Sequence, residues 1–226
     1  MNLLREQLVK SPIHARVVPY ALILIVTSFF QDSFGEAGRY WIYFFKILLA
    51  LACIREMRDL VPEMRWAFSL EAVAVGIAIA ALWVGLDPYY PKMQMLFKMG
   101  EPWDPFKAFG EHSGKAWFFF WVRTLGSAIA IPPIEEVFYR SFLYRYGVRT
   151  DFQSMPLNQF HPTSFIVISL LFGFVHFQWI PGVMCGMAYQ WLVLRKNRLG
   201  DAMLAHAITN FLLGLWILWK GQWQFW

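Results

Sequence analysis

Ile131-Pro132-Pro133-Ile134-Glu135-Glu136-Val137-Phe138-Tyr139-Arg140 is the stretch on which the reading of this chain turns. It closes an almost wholly apolar run, Ala116 to Ile134, whose only charge is Arg123. Ionisable groups at membrane depth are costly and persist where they pair, line a wet cavity or do chemistry. Two carboxylates and a guanidinium at the end of such a run therefore mark a candidate site.

The rest of the chain has the same solvent written into it. Of 226 residues, 58% are hydrophobic, 19% are aromatic and only 15% carry charge, where a soluble domain averages about 25% charged. Mean hydropathy is +0.42. Several apolar runs approach the roughly 20 residues that a spanning helix needs. They are apolar all round, which argues against a β-barrel with alternating faces. The fold expected is all-α: a polytopic membrane helical bundle of about seven transmembrane helices, six to eight. The chain, 1–226, reads as a single integral membrane domain, with residues 116–218 as its catalytic helices. The net charge of +5 reads as basic loops facing lipid headgroups and cytoplasm, not as a nucleic-acid surface.

Taken in order, Met1 to Arg16 is a short interfacial lead, retained ahead of the first span. Spans are expected near 17–30, 40–54, 66–86, 116–134, 163–179, 183–194 and 201–219. Pro132 and Pro133 should kink the fourth or break its ladder, with a second helical piece running from Ile134 to about Tyr146. Pro181-Gly182 should end the fifth. The stretch 87–115, with four prolines, is the longest connection and reads as an interfacial cap. Lys46 lies inside the second span and should snorkel or pair. Cys53 and Cys185 read as core thiols. With the N-terminus inside, the Lys and Arg of the loops divide twelve inside to six outside, which places the N-terminus in the cytoplasm.

Three polar groups remain. Glu136 and Arg140 are four apart, acid first, so they share a helix face. Glu135 is turned about 100° away and faces elsewhere. His176 is a lone imidazole after Phe172. His206 and Asn210, again four apart, project from one face of the last span. Each alone has a bland reading as packing or as a helix–helix link. Together they supply a base, a second water-holding group and two polarising donors, the parts that amide hydrolysis needs.

Glu135-Glu136-x-x-x-Arg140, Phe172-x-x-x-His176 and His206-x-x-x-Asn210, in that order, resemble the CAAX-processing and bacteriocin-processing (Rce1-like) glutamate intramembrane protease family. The layout also resembles its exosortase-associated subgroup. The resemblance implies an intramembrane endopeptidase in the bacterial inner membrane, acting near the C-terminus of a membrane-associated or lipidated protein. It implies that Glu135 and His176 hold and deprotonate water, that His206 and Asn210 form the oxyanion hole, and that Glu136 and Arg140 position the first carboxylate. The expected partners are a membrane protein or peptide and the bilayer, with no nucleic acid. No cofactor is expected. Zinc on Glu135, Glu136, His176 and His206 is the rival mechanism, although Arg140 would oppose a cation there. A non-catalytic scaffold, an immunity-type binding protein or a proton-coupled transporter could use the same polar residues.

Overall fold

A computed structural model of the chain describes residues 3–30, 34–91 and 102–226. All regular structure among them is helical. A short helix α1 (Leu3–Leu8) leads into α2 (Pro12–Ile25), which starts where Ser11 accepts the His14 N–H and Pro12 occupies the first turn. Hydroxyl or carboxylate caps of this kind satisfy N–H groups that have no intrahelical acceptor. The chain continues through a π-helical turn, Val26–Phe30, to α3 (Gly35–Met57). Ser69 caps α4 (Leu70–Gly85), Asp104 caps the short α5 (Pro105–Phe109) and Ser113 caps α6 (Gly114–Ile129). The last helices are α7 (Ile131–Glu136), α8 (Tyr144–Tyr146), α9 (Pro162–Phe174), α10 (Trp179–Lys196) and α11 (Gly200–Lys220).

Among the described residues, four helical runs are long and apolar enough to cross a membrane: Pro12–Phe30, Gly35–Met57, Gly114–Tyr146 and Gly200–Lys220. Leu70–Gly85 and Pro162–Phe174 are shorter and apolar. Each expected span falls on one of these runs or on α10. The cap expected over 87–115 lies partly outside the described residues.

One boundary matches expectation and one differs. The prolines at 132 and 133 follow a break in the ladder at Ala130, between α6 and α7, within a helical run that continues from Gly114 to Tyr146. They stand in the first turn of α7, where a missing N–H costs little. A π-helical stretch, Val137–Leu143, then carries the run to α8. Pro181-Gly182, by contrast, does not end the fifth span. It lies in the first turn of α10, and the connection is Val175–Gln178. Gly182 is there for close approach: a Cβ on it would stand 3.0 Å from the Gly173 Cα. Likewise a Cβ on Gly186 would meet the Ser169 Cα at 2.7 Å, and one on Gly76 the Ala205 carbonyl oxygen at 2.7 Å. Small residues let backbones approach where lipid offers no hydrophobic drive between helices.

Polar contacts gather several chain ends at one end of the bundle. Glu71, opening α4, pairs with Arg195 at 2.6 Å and Lys196 at 2.5 Å, which close α10. Asp201, opening α11, accepts from Ser69 and Arg198. Glu63 accepts from Arg16 at 2.6 Å, Arg145 at 3.2 Å and the Ser141 hydroxyl. This end therefore collects basic residues from α2, α8 and α10.

Glu63 lies outside the spans. Burial pushes its carboxyl up, but Arg16 and the hydrogen bonds from Ser141 and Arg16 outweigh that and hold it below its ordinary value of 4.5. A carboxyl depressed in the folded state adds stability above its ordinary value, and the gain is lost as pH falls through the folded one. Thermal unfolding of the purified protein should therefore weaken below about pH 4.5. Glu63→Gln should blunt that fall and cost about 1.5–3 kcal/mol at pH 7, the range for a hydrogen bond to a charged group. An unchanged unfolding temperature in Glu63→Gln would show that the cluster contributes nothing.

Candidate active site

The two adjacent acids part company as their helical spacing requires. Glu136 is fully buried, its Oε2 3.1 Å from Arg140 Nε and its Oε1 2.9 Å from His206 Nδ1. Glu135 is 20% exposed and faces a cavity of about 300 Å³. The π-helical stretch begins at Val137, directly after the acids. Such irregular turns often occur at functional sites.

His206, Asn210, His176 and Glu135 all line that cavity. They come from α11, from the α9–α10 connection and from α7. His206 is held between the two acids. With Glu136 ionised, the Nδ1–H donates to it, and Nε2 lies 4.0 Å from Glu135 Oε2. The ring stacks on Tyr189 with centroids 5.2 Å apart and planes at 24°. Tyr189 donates to Thr209 at 2.7 Å, and Thr209 donates to the carbonyls of Gly76 and Ala205. One face of His206 is thus fixed by a network tied to three helices.

His176 has a defined tautomer. Its Nδ1 is 2.7 Å from the Phe172 carbonyl oxygen, which can only accept, so Nδ1 carries the proton. The Nε2 lone pair is left for the cavity. Asn210 donates from Nδ2 to the Ser127 carbonyl at 2.9 Å, which uses one of its two N–H groups.

Arg140 explains how Glu136 can be buried. Its guanidinium carbon lies 4.2 Å over the Phe172 ring, a cation–π contact. Nη1 and Nη2 have no hydrogen-bond partner among the described residues. The pair Glu136–Arg140 reaches His206, not Glu135, so the carboxylate it orients is its own and the ring it orients is the imidazole.

The depth of His176 follows from the length of α9. Thirteen residues rise about 20 Å, short of the roughly 30 Å hydrocarbon core. His176 therefore lies at the tip of a short hairpin and reaches the bundle interior. The cavity does not extend toward the basic end. Its lining runs to Phe177, Gln178, Phe225 and Trp226, which belong to the opposite end.

Several lining residues were not assigned to the site from sequence. Lys46 is not at a water interface. It lines the cavity, with Nζ 3.3 Å from the Thr27 hydroxyl and 4.2 Å from the centre of the Tyr43 ring. Arg123 lines it as well. Both were visible as single cations in apolar runs, which was the available signal. Tyr189 and Thr209 carried no signal of their own. Among the described residues, no group of three or more His, Cys, Asp or Glu is arranged to hold a metal.

Residues 116–212 match the family model described as type II CAAX prenyl endopeptidase Rce1-like. No curated protein and no solved structure matches the chain. The matched segment starts in α6, ends in α11 and contains Glu135, Glu136, Arg140, His176, His206 and Asn210. The apolar helices fit an integral membrane protein. Over residues 116–212 the chain is similar to a protease family, the Rce1-like type II CAAX prenyl endopeptidases.

Proposed function

We propose that this protein is an intramembrane endopeptidase that hydrolyses a peptide bond near the C-terminus of a membrane-associated or lipidated protein. One observation carries the reading: Glu135, His176, His206 and Asn210 line a single cavity, while Glu136 beside them is sealed away by Arg140 and His206.

The chemistry follows from which atoms remain available. The Glu135 carboxylate and the His176 Nε2 lone pair are two acceptors on one cavity, able to hold a water and take its proton. As the water attacks the carbonyl, charge develops on the carbonyl oxygen. The second N–H of Asn210 is a donor for that oxygen, and His206 Nε2 faces the same cavity beside it. Glu136 keeps the Nδ1–H of His206 engaged, so the ring cannot turn away. Collapse of the tetrahedral species needs a proton on the leaving amine, and Glu135 returns the one it took. No covalent enzyme intermediate and no cofactor enters this scheme.

We place the protein in the bacterial inner membrane with its N-terminus in the cytoplasm, because the basic end of the bundle carries Arg16, Arg145, Arg195 and Lys196. A reporter fused after Trp226 that works only outside the cytoplasm should then be active. Membranes of cells carrying Glu135→Gln should accumulate uncut precursors that wild-type membranes lack, read by comparative proteomics of protein C-termini. Purified enzyme should keep its activity in a chelator; loss of activity there would favour a metal. Identical C-termini in wild-type and Glu135→Gln membranes would count against the endopeptidase.

A further inference from the structure

One stripe of the long helical run leads to Glu135. Arg123, Ser127, Ile131 and Glu135 follow one another at intervals of four and all line the cavity, the spacing of side chains on one helix face. Arg123 stands at one end of the stripe, 5.2 Å from the Trp226 ring at the mouth, and Glu135 stands at the other. Lys46, on α3, joins Arg123 beside the Tyr43 ring: the two are 4.2 and 4.8 Å from its centre. Arg123 also lies 4.6 Å from the Trp103 ring. Among the described residues it makes no hydrogen bond or ion pair, and the one hydrogen bond of Lys46 goes to a neutral hydroxyl, Thr27. Glu135 pairs with neither. Cations at membrane depth are normally paired with acids or carbonyls. Rings on three sides favour a guanidinium by cation–π attraction, yet they leave its N–H groups without acceptors. Two positive charges with open donors on a cavity wall form a receptor for an oxyanion.

We infer that Lys46 and Arg123 bind a carboxylate side chain of the substrate, an Asp or Glu on the segment N-terminal to the bond cut. The inference rests on the endopeptidase reading above and names a class of substrate within it. The bulk of a protein cut near its C-terminus lies N-terminal to the bond and stays outside the mouth. The segment joining that bulk to Glu135 therefore runs past the two cations, and no chain end has to stop beside them. Arg123 and Glu135 are twelve residues apart on one helical run, about 18 Å of rise. That equals five or six extended residues at about 3.3–3.6 Å each, so the acid lies within about six residues of the bond. A carboxylate accepts from a guanidinium with two oxygens and offsets charge that a neutral group would leave unbalanced. A Lys or Arg on the same segment is repelled, so the pair also excludes basic substrates. Lys46 lies outside the segment 116–212 that matches the family. Half of this receptor therefore belongs to the part of the chain that the match does not cover.

The test starts from the cut bonds that comparative proteomics of wild-type and Glu135→Gln membranes reveals. Asp or Glu should occur within about six residues N-terminal to them, and Lys or Arg should not. Purified full-length protein is then given synthetic peptides spanning the junction that accumulates most. The acid is kept, replaced by its amide, or replaced by Lys. Wild type should cleave the acid peptide with kcat/KM about 10–100-fold above the amide, the range for charge-assisted hydrogen bonds, with the loss in KM. The Lys peptide should be poorer still. In Arg123→Gln and Lys46→Met the acid-to-amide ratio should fall toward one, and Lys46→Glu should narrow the penalty on the Lys peptide. If Arg123→Gln does not fold, the two Lys46 variants carry the test. Junctions without an acid in that window, or equal cleavage of acid and amide by wild type, would overturn the inference and leave the endopeptidase standing. A ratio that persists in folded variants would place the carboxylate elsewhere and overturn it too. An equal loss of kcat on both peptides, with a shifted pH profile, would assign the cations to Glu135 and also overturn it. So would activation by phosphatidylglycerol over phosphatidylcholine vesicles that vanishes in the variants without any acid preference, which would assign them to a lipid phosphate. Identical C-termini in wild-type and Glu135→Gln membranes would remove the endopeptidase and the inference with it.

Discussion

Glu135→Gln loses peptide cleavage by about 10²–10⁴-fold in kcat/KM, the range for removal of a general base. Its unfolding temperature in detergent stays close to that of wild type. Glutamine keeps the volume and polarity of the side chain, so packing around the cavity is preserved. What disappears is the carboxylate that, among the described residues, faces the cavity without a bound partner: Glu135 stands 4.0 Å from His206, whereas Glu136 is committed at 3.1 and 2.9 Å. The adjacent acid cannot substitute, because it lies on another face of the helix and is fully buried. His176→Ala should fall in the same way, by loss of the second acceptor on the water. Cleavage at the wild-type rate by folded Glu135→Gln would end the hydrolytic mechanism, whatever the family.

Arg140→Met destabilises the protein by about 3–5 kcal/mol, since it strands a carboxylate that has no access to water. Arg140 is 1% exposed and Glu136 is fully buried, so neither can be rescued by solvent. Glu136→Gln alone should also be costly, because it leaves a guanidinium offset chiefly by aromatic rings, those of Phe172, Tyr139 and Tyr189. The double variant Glu136→Gln/Arg140→Met should lose clearly less than the sum of the singles, with a coupling of up to about 3 kcal/mol. Its cleavage should nevertheless stay low, because His206 has lost the acceptor that fixes its Nδ1–H. Unfolding midpoints and cleavage rates of all four proteins read the two effects separately. Additive unfolding costs would show that the pair does not act as a unit. Restored cleavage in the double variant would show that orientation of His206 does not depend on it.

The helical membrane class was legible because apolar runs and low charge are properties of short windows. The same holds for the facing of Glu136 toward Arg140, which needs only 3.6 residues per turn. The end of the fifth span was misread for a physical reason. Pro-Gly is a strong breaker signal, but a proline in the first turn of a helix loses no hydrogen bond, and Gly182 is small because Gly173 lies against it. His176 thereby moved from the end of a full span to the tip of a short hairpin.

By itself, then, the sequence determined that this is an all-helical membrane chain, and that its acids, imidazoles and amide sit in three separated segments. Those conclusions rest on local composition and on the helical repeat. Only the tertiary structure decided that Glu135, His176, His206 and Asn210 share one cavity, that Glu136 serves His206, and that Lys46 and Arg123 look into the same space. Contacts between residues 70 or more positions apart depend on how helices are tilted and how closely small residues let them approach. No window of sequence contains that geometry.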